Sequence, residues 1–174
     1  MKYFGPDINI PLQESGIMPN IEVAPLDSAE LLLGSKDDVV SFLANRKTGV
    51  ILFDATGELL RPLCHFNIIL LGGHQMSGQE RDFVKARNIQ IFQTSSVLQE
   101  GIANICDAVM EAANQWPQLH ICVNLSIVDQ QSGGLTAREL LYFVQRLRRM
   151  RNYASASVVG IPSPLASKLI SELA

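Results

Sequence analysis

Charge is scarce in this chain: Asp, Glu, Lys and Arg make up only 18% of the residues, and the net charge is −3. There is no long basic block, so a nucleic-acid footprint is not expected, because phosphate binding needs clustered Lys and Arg. No apolar run approaches membrane-spanning length. The start, Met1-Lys-Tyr-Phe-Gly-Pro-Asp7, lacks the apolar stretch of a signal peptide. Cysteine is sparse too. Cys64, Cys106 and Cys122 are odd in number and have no CxxC spacing, which suits small apolar fillers in a reduced, cytoplasmic protein. The familiar catalytic signatures are missing as well: no HExxH, no GxGxxG, no phosphate loop and no Ser-His-Asp order. His65, His74 and His120 share no common spacing.

What remains is strongly apolar. Hydrophobic residues form 47% of the 174 positions, enough for one domain with a sizeable core and too many for a disordered chain. Residues 1–28 carry Pro6, Pro11, Pro19 and Pro25 with Gly5 and Gly16, which repeatedly interrupt regular structure. They are expected to form an irregular N-terminal arm, with at most a short strand, lying on the domain of residues 29–174 or on a neighbouring subunit.

From there short apolar runs alternate with helical patterns. Buried strands are predicted at 31–34, 49–53, 66–72, 89–92, 119–125 and 156–160. Between them, helices are predicted at 37–45, at 77–87, from a Ser95 or Ser96 cap through Ala112, and from the capping box Thr136-Ala-Arg-Glu139 to Met150. A closing helix starts at Pro164. Continuous apolar strands alternating with helices imply a mainly parallel sheet covered on both faces, a three-layer αβα sandwich with right-handed crossovers.

In such sheets the working residues lie beyond the C-terminal strand ends. Those ends carry Gly34 to Asp38, Asp54 to Glu58, Gly72 to His74, Asn124 to Asp129 and Gly160 to Ser163. Asp54 and Glu58 suit a metal ligand or a base, and equally a turn with a capping acid. Asn124 and Ser126 alternate with apolar neighbours and should share the cleft of Asp54. Gly72-Gly-His-Gln-Met76 lacks phosphate-loop spacing and reads as a turn. The cluster Arg146-Leu-Arg-Arg-Met-Arg151 suits the negative end of a helix dipole, with an interface or weak anion site as the alternative.

Taken together, these strand ends resemble the ureohydrolase family of arginase, agmatinase and formimidoylglutamase. Its motifs are GGDHS, DAHxD, SxDxDxxDP, GGLTxRE and VVEVxP. Here they read Leu33-Gly-Ser-Lys-Asp-Asp38, Phe53-Asp-Ala-Thr-Gly-Glu58, Cys122-Val-Asn-Leu-Ser-Ile-Val-Asp129, Gly133-Gly-Leu-Thr-Ala-Arg-Glu139 and Val158-Val-Gly-Ile-Pro162. The order holds from about residue 30 to the end, and Gly133 to Glu139 is the strongest match. The resemblance implies a reduced arginase-like fold, and in the family two His and four Asp hold a manganese pair that activates a hydroxide.

Transferred position by position, those ligands fall on Asp37, Asp54, Thr56, Glu58, Asn124 and Ser126, and only Asp54 is unchanged. The family's substrate-binding Glu falls on Gly160, and the acid before the first His becomes Lys36, a cation beside the pocket. The loop before GGLT shrinks to Gln130-Gln-Ser132, and the loop after Glu58 is short. The resemblance therefore implies a metal site that has been lost. The expected protein is a pseudoenzyme without cofactor, serving as an interaction or regulatory module that assembles with itself or with a related subunit. Two alternatives stand beside it. One is a remodelled hydrolase of C–N bonds in an amidine- or guanidine-type substrate, holding a single Mg²⁺ or Ca²⁺ on oxygen ligands. The other is a metal-free small-molecule binder in which Lys36, Asp54 and Glu58 form an ion-pair network.

Overall fold

A computed structural model describes residues 1–6 and 22–174. Much of the expected N-terminal arm, including Pro11, Gly16 and Pro19, lies outside the described residues. The parts described on either side enter the sheet as β1 (Lys2–Phe4) and β2 (Glu22–Val23). Six further strands follow: β3 (Leu31–Gly34), β4 (Gly49–Asp54), β5 (Ile68–Gly72), β6 (Gln90–Phe92), β7 (Leu119–Asn124) and β8 (Tyr153–Val159). They form one sheet in the order β2-β1-β3-β8-β7-β4-β5-β6, and every pairing among the described strands is parallel.

The period-two alternation of the strands divides the core. Leu31, Leu33, Ile51, Phe53, Ile69, Leu71, Ile121, Val123, Ala156 and Val158 pack on one side. That side is covered by α4 (Ile102–Ala113), α5 (Ala137–Leu147) and α6 (Pro164–Leu173). Leu32, Val50, Leu52, Ile68, Leu70 and Cys122 face the other way, against α1 (Lys36–Leu43), Leu59, Leu60 and Leu63 of the turn after β4, and Val84 of α2 (Gly78–Arg87). The result is a three-layer αβα sandwich. Both faces of the central strands are dry, which is why their sequences read as unbroken apolar runs. No helix among the described residues is long and apolar enough to cross a membrane.

Local chemistry accounts for the helix starts. Thr136 and Glu139 form the capping box read from sequence: Thr136 N donates to Glu139 Oε2 at 2.8 Å and Glu139 N to Thr136 Oγ1 at 3.1 Å. Ser163 caps α6, whose first residue is Pro164. The long helix expected from Ser95 or Ser96 is in fact two. Helix α3 (Thr94–Glu100) begins after Gln93 without a side-chain cap, and Gly101, at φ 89°, ends it and starts α4. A stripe of apolar residues runs through both helices and hides the break, but the backbone at Gly101 lies outside the helical region.

Candidate functional site

Strands β4 and β7 are neighbours, and their alternation aims Asp54 and Asn124 at the same side of the sheet. Val50 and Leu52 precede Asp54, and His120 and Cys122 precede Asn124, on that face. Asp54 is fully buried. Its carboxylate is surrounded by neutral donors. Oδ1 accepts from Asn124 Nδ2 at 3.0 Å, Thr56 N and Thr56 Oγ1 at 3.2 Å, and Ser126 Oγ at 3.3 Å. Oδ2 accepts from Gly57 N at 3.1 Å. Asn124 in turn accepts from Ser126 N through its Oδ1 at 3.1 Å. Among the described residues no cation is paired with Asp54, and the donors that satisfy it come from the turn after β4, from Asn124 at the end of β7 and from Ser126 in the 3₁₀ turn Leu125–Val128 that follows.

Lys36 and Glu58 stand apart from this cluster. They are partly exposed and form an ion pair with one another. Lys36 thus meets Glu58, as one expectation held, but Asp54 is satisfied by neutral groups instead of joining them. Asp37 does not join either. The capping box of Ser35 and Asp38 starts α1 at Lys36, so Asp37 falls in the first helical turn, exposed and without a side-chain hydrogen bond or ion pair among the described residues. The Ser35 hydroxyl and then its N–H hold the Asp38 carboxyl below the usual carboxylate range. The structure thus brings together Asp54, Thr56, Asn124 and Ser126, places Lys36 with Glu58, and leaves Asp37 outside. Among the described residues no three His, Cys, Asp or Glu side chains converge as a set able to hold a metal ion.

Gly160 closes the side of the cleft at β8. A Cβ there would lie 2.7 Å from Leu125 Cδ1, so Leu125 fills the space a side chain would need. On the opposite side, Asp129 accepts from Ser132 Oγ at 2.7 Å, Gln75 Nε2 at 3.1 Å and Gln131 N at 3.2 Å. The Ser132 hydroxyl is the main reason its carboxyl sits low. These bonds tie the short 125–132 segment to the β5 turn. Gly134 is pinned beneath it, its N–H donating to Asp129 O at 2.9 Å, and a Cβ there would strike the Ile127 carbonyl. That close approach explains the second glycine of the Gly133-Gly-Leu-Thr turn.

One strand-end residue received no role from the sequence. His74, placed at a strand end and read as part of a turn, has both ring nitrogens buried without a hydrogen-bond partner among the described residues. Burial lowers its pKa, and the charges of Asp129 and Asp54 oppose that. The burial arises from elements distant in sequence, so no local spacing signals it. His120 differs: fully buried between β7 and β8, it is satisfied by Ser155 Oγ and Ser157 Oγ, each at 2.8 Å. Burial, helped by Arg46, pushes its pKa down to about 3. It is a neutral strut in the core, away from the strand ends.

A sequence model of the arginase family matches residues 44–174. No curated protein sequence matches the chain significantly. Solved structures do match in fold. Arginase from Bacillus subtilis superposes with a TM-score of 0.74 at 18% identity, over 82% of this chain and 71% of that one. Formimidoylglutamase from Bacillus subtilis subsp. subtilis str. 168 gives 0.71 at 18% identity, over 95% of this chain and 63% of that one. The agmatine ureohydrolase of Thermoplasma volcanium gives 0.69 at 16% identity, over 82% and 60% respectively. This chain thus spans only 60–71% of the length of these three structures.

Proposed function

Because this chain belongs to the arginase family, we propose that it is a non-hydrolytic member which keeps the fold as an interaction or regulatory module. The observation that carries this reading is the set of donors on Asp54. A dinuclear manganese centre needs anionic oxygens and imidazoles converging on the ions, both to neutralise charge and to fix the spacing. At three of these positions the chain offers Thr56, Asn124 and Ser126, each spending a donor on Asp54, the one unchanged ligand. An amide NH₂ facing Asp54 is chemically the opposite of a second carboxylate there: it attracts Asp54 directly, where two carboxylates need a cation between them. The donor set does not fit the metal pair, and no hydrolytic step is assigned to it.

The other family functions are weakened in the same direction. Leu125 blocks the place of the substrate-binding acid at Gly160, and Lys36 is committed to Glu58. A single hard cation on oxygen ligands is disfavoured because Asp54 would have to exchange five hydrogen bonds for it. As a module of this kind, the protein assembles with itself or with a related subunit, using the N-terminal arm and the arginine-rich end of α5 as contacts. Incubation with arginine, agmatine and formimidoylglutamate in excess Mn²⁺ tests the reading. No urea or formamide should form above the rate of the Asp54→Ala variant; turnover abolished by that substitution would refute it.

A further inference from the structure

A second cleft lies beside the Asp54 cluster, beyond the ends of β5 and β6, between α2, α3 and the start of α5. Its volume is about 820 Å³, within the range that encloses small organic ligands. Its floor is apolar, made by Val84, Ile91 and Leu135. Leu98 stands at its border and is 85% exposed, one of three large apolar side chains so placed among the described residues.

The polar groups around this floor are unevenly spent. Glu139 has one carboxylate oxygen held by Thr136 N and Thr136 Oγ1, both at 2.8 Å. Thr94 Oγ1 donates to Gly133 O at 2.7 Å. Arg81 and Lys85, four residues apart on one face of α2, have no side-chain hydrogen bond or ion pair among the described residues. His74 borders the same space, but its ring nitrogens are buried away from it, with no partner among the described residues. Arg81 and Lys85 are exposed at the rim of the cleft, so their charges are hydrated and free to meet a ligand. The cleft thus joins two uncommitted cations to an apolar floor.

We infer that this cleft binds a small organic anion with an apolar body, its acid group held by Arg81 and Lys85 and its body on Val84, Ile91 and Leu135. The Arg81 fork takes a carboxylate or sulfonate in a bidentate manner, and Lys85 adds a point charge. The inference does not depend on whether Asp54 supports chemistry, since none of its donors lines this cleft. It gives a non-hydrolytic family member a way to sense a metabolite.

The test uses 8-anilinonaphthalene-1-sulfonate as the probe and octanoate as competitor, on the full chain. Fluorescence should rise saturably at one site per chain and fall on adding octanoate. In ¹H–¹⁵N spectra the shifted amides should cluster at Gly73, His74, Val84, Lys85 and Gly134. Arg81→Gln with Lys85→Gln changes two exposed positions and should weaken the probe roughly ten-fold or more, while leaving the neutral probe N-phenyl-1-naphthylamine unaffected. Ser95→Trp, which puts an indole into the cleft from an exposed position, should block both probes. Near-ultraviolet circular dichroism confirms that each variant is folded. Unaltered sulfonate binding in the double variant, shifts elsewhere on the fold, or no saturable binding up to about 1 mM would each overturn the inference.

Discussion

Replacing Asn124 with Asp restores one family ligand, and the account predicts that this destabilises the protein in a pH-dependent way. The amide nitrogen lies 3.0 Å from Asp54 Oδ1. Substitution puts an oxygen in its place. Two ionised carboxylates at that distance would repel by about 5 kcal/mol at an effective dielectric constant of 20. Taking up one proton costs less: for an ordinary carboxyl with pKa about 3.9, about 4 kcal/mol at pH 7 and about 1.5 kcal/mol at pH 5. The pair should therefore share a proton, which restores an O–H···O bond. The native variant then binds one proton more than its unfolded chain, so its stability falls as pH rises, by about 1.4 kcal/mol per unit. Asn124→Ala, by contrast, loses a bond to a carboxylate, about 1.5–3 kcal/mol, with no dependence on pH between 5 and 7. Urea unfolding of the three proteins at pH 5, 6 and 7 measures these differences. A loss under about 1 kcal/mol for Asn124→Asp at pH 7, or an equal loss at pH 5 and 7, would refute the reasoning.

Three other expectations follow from the same geometry. Gly160→Glu, which restores the family's substrate acid, should cost about 1–3 kcal/mol in chemical denaturation, because φ there is +149° and Leu125 occupies the space. His120, held to about 3 by burial, should remain neutral in imidazole NMR down to pH 4.5; the unfolded chain takes up that proton near pH 6.5, so its contribution to stability is full above that value and falls by about 1.4 kcal/mol per unit as pH drops toward 3. Lys36→Ala should change stability by under about 1 kcal/mol, since its ion pair with Glu58 is solvent-exposed, and a larger loss would mean that Lys36 supports Asp54 directly.

The central strands were legible because burial on both faces leaves a local mark, an unbroken run such as Val50 to Phe53 or Ile121 to Val123. The α5 start was legible for the same reason, its capping chemistry being contained in four consecutive residues. Strands β1 and β2 were not, because strands of two or three residues acquire their conformation from the neighbours they pair with. The break at Gly101 was lost inside an apolar stripe that continues through it. At the site, alternation along β4 and β7 brings Asp54 and Asn124 together, while Ser126 reaches them from the 3₁₀ turn that follows β7. The contribution of the Gly57 N–H depends on how the turn after β4 curls, and the isolation of His74 on packing between β5 and the 125–132 segment. Neither leaves a spacing in the sequence.

The central claim is that donors from Thr56, Asn124 and Ser126 have taken the place of metal ions at Asp54. Anomalous scattering at the manganese edge, from crystals grown in excess Mn²⁺, tests it most directly. The account predicts no peak within coordination distance of Asp54 and less than one manganese per chain in elemental analysis. Two peaks about 4 Å apart beside Asp54 would contradict it.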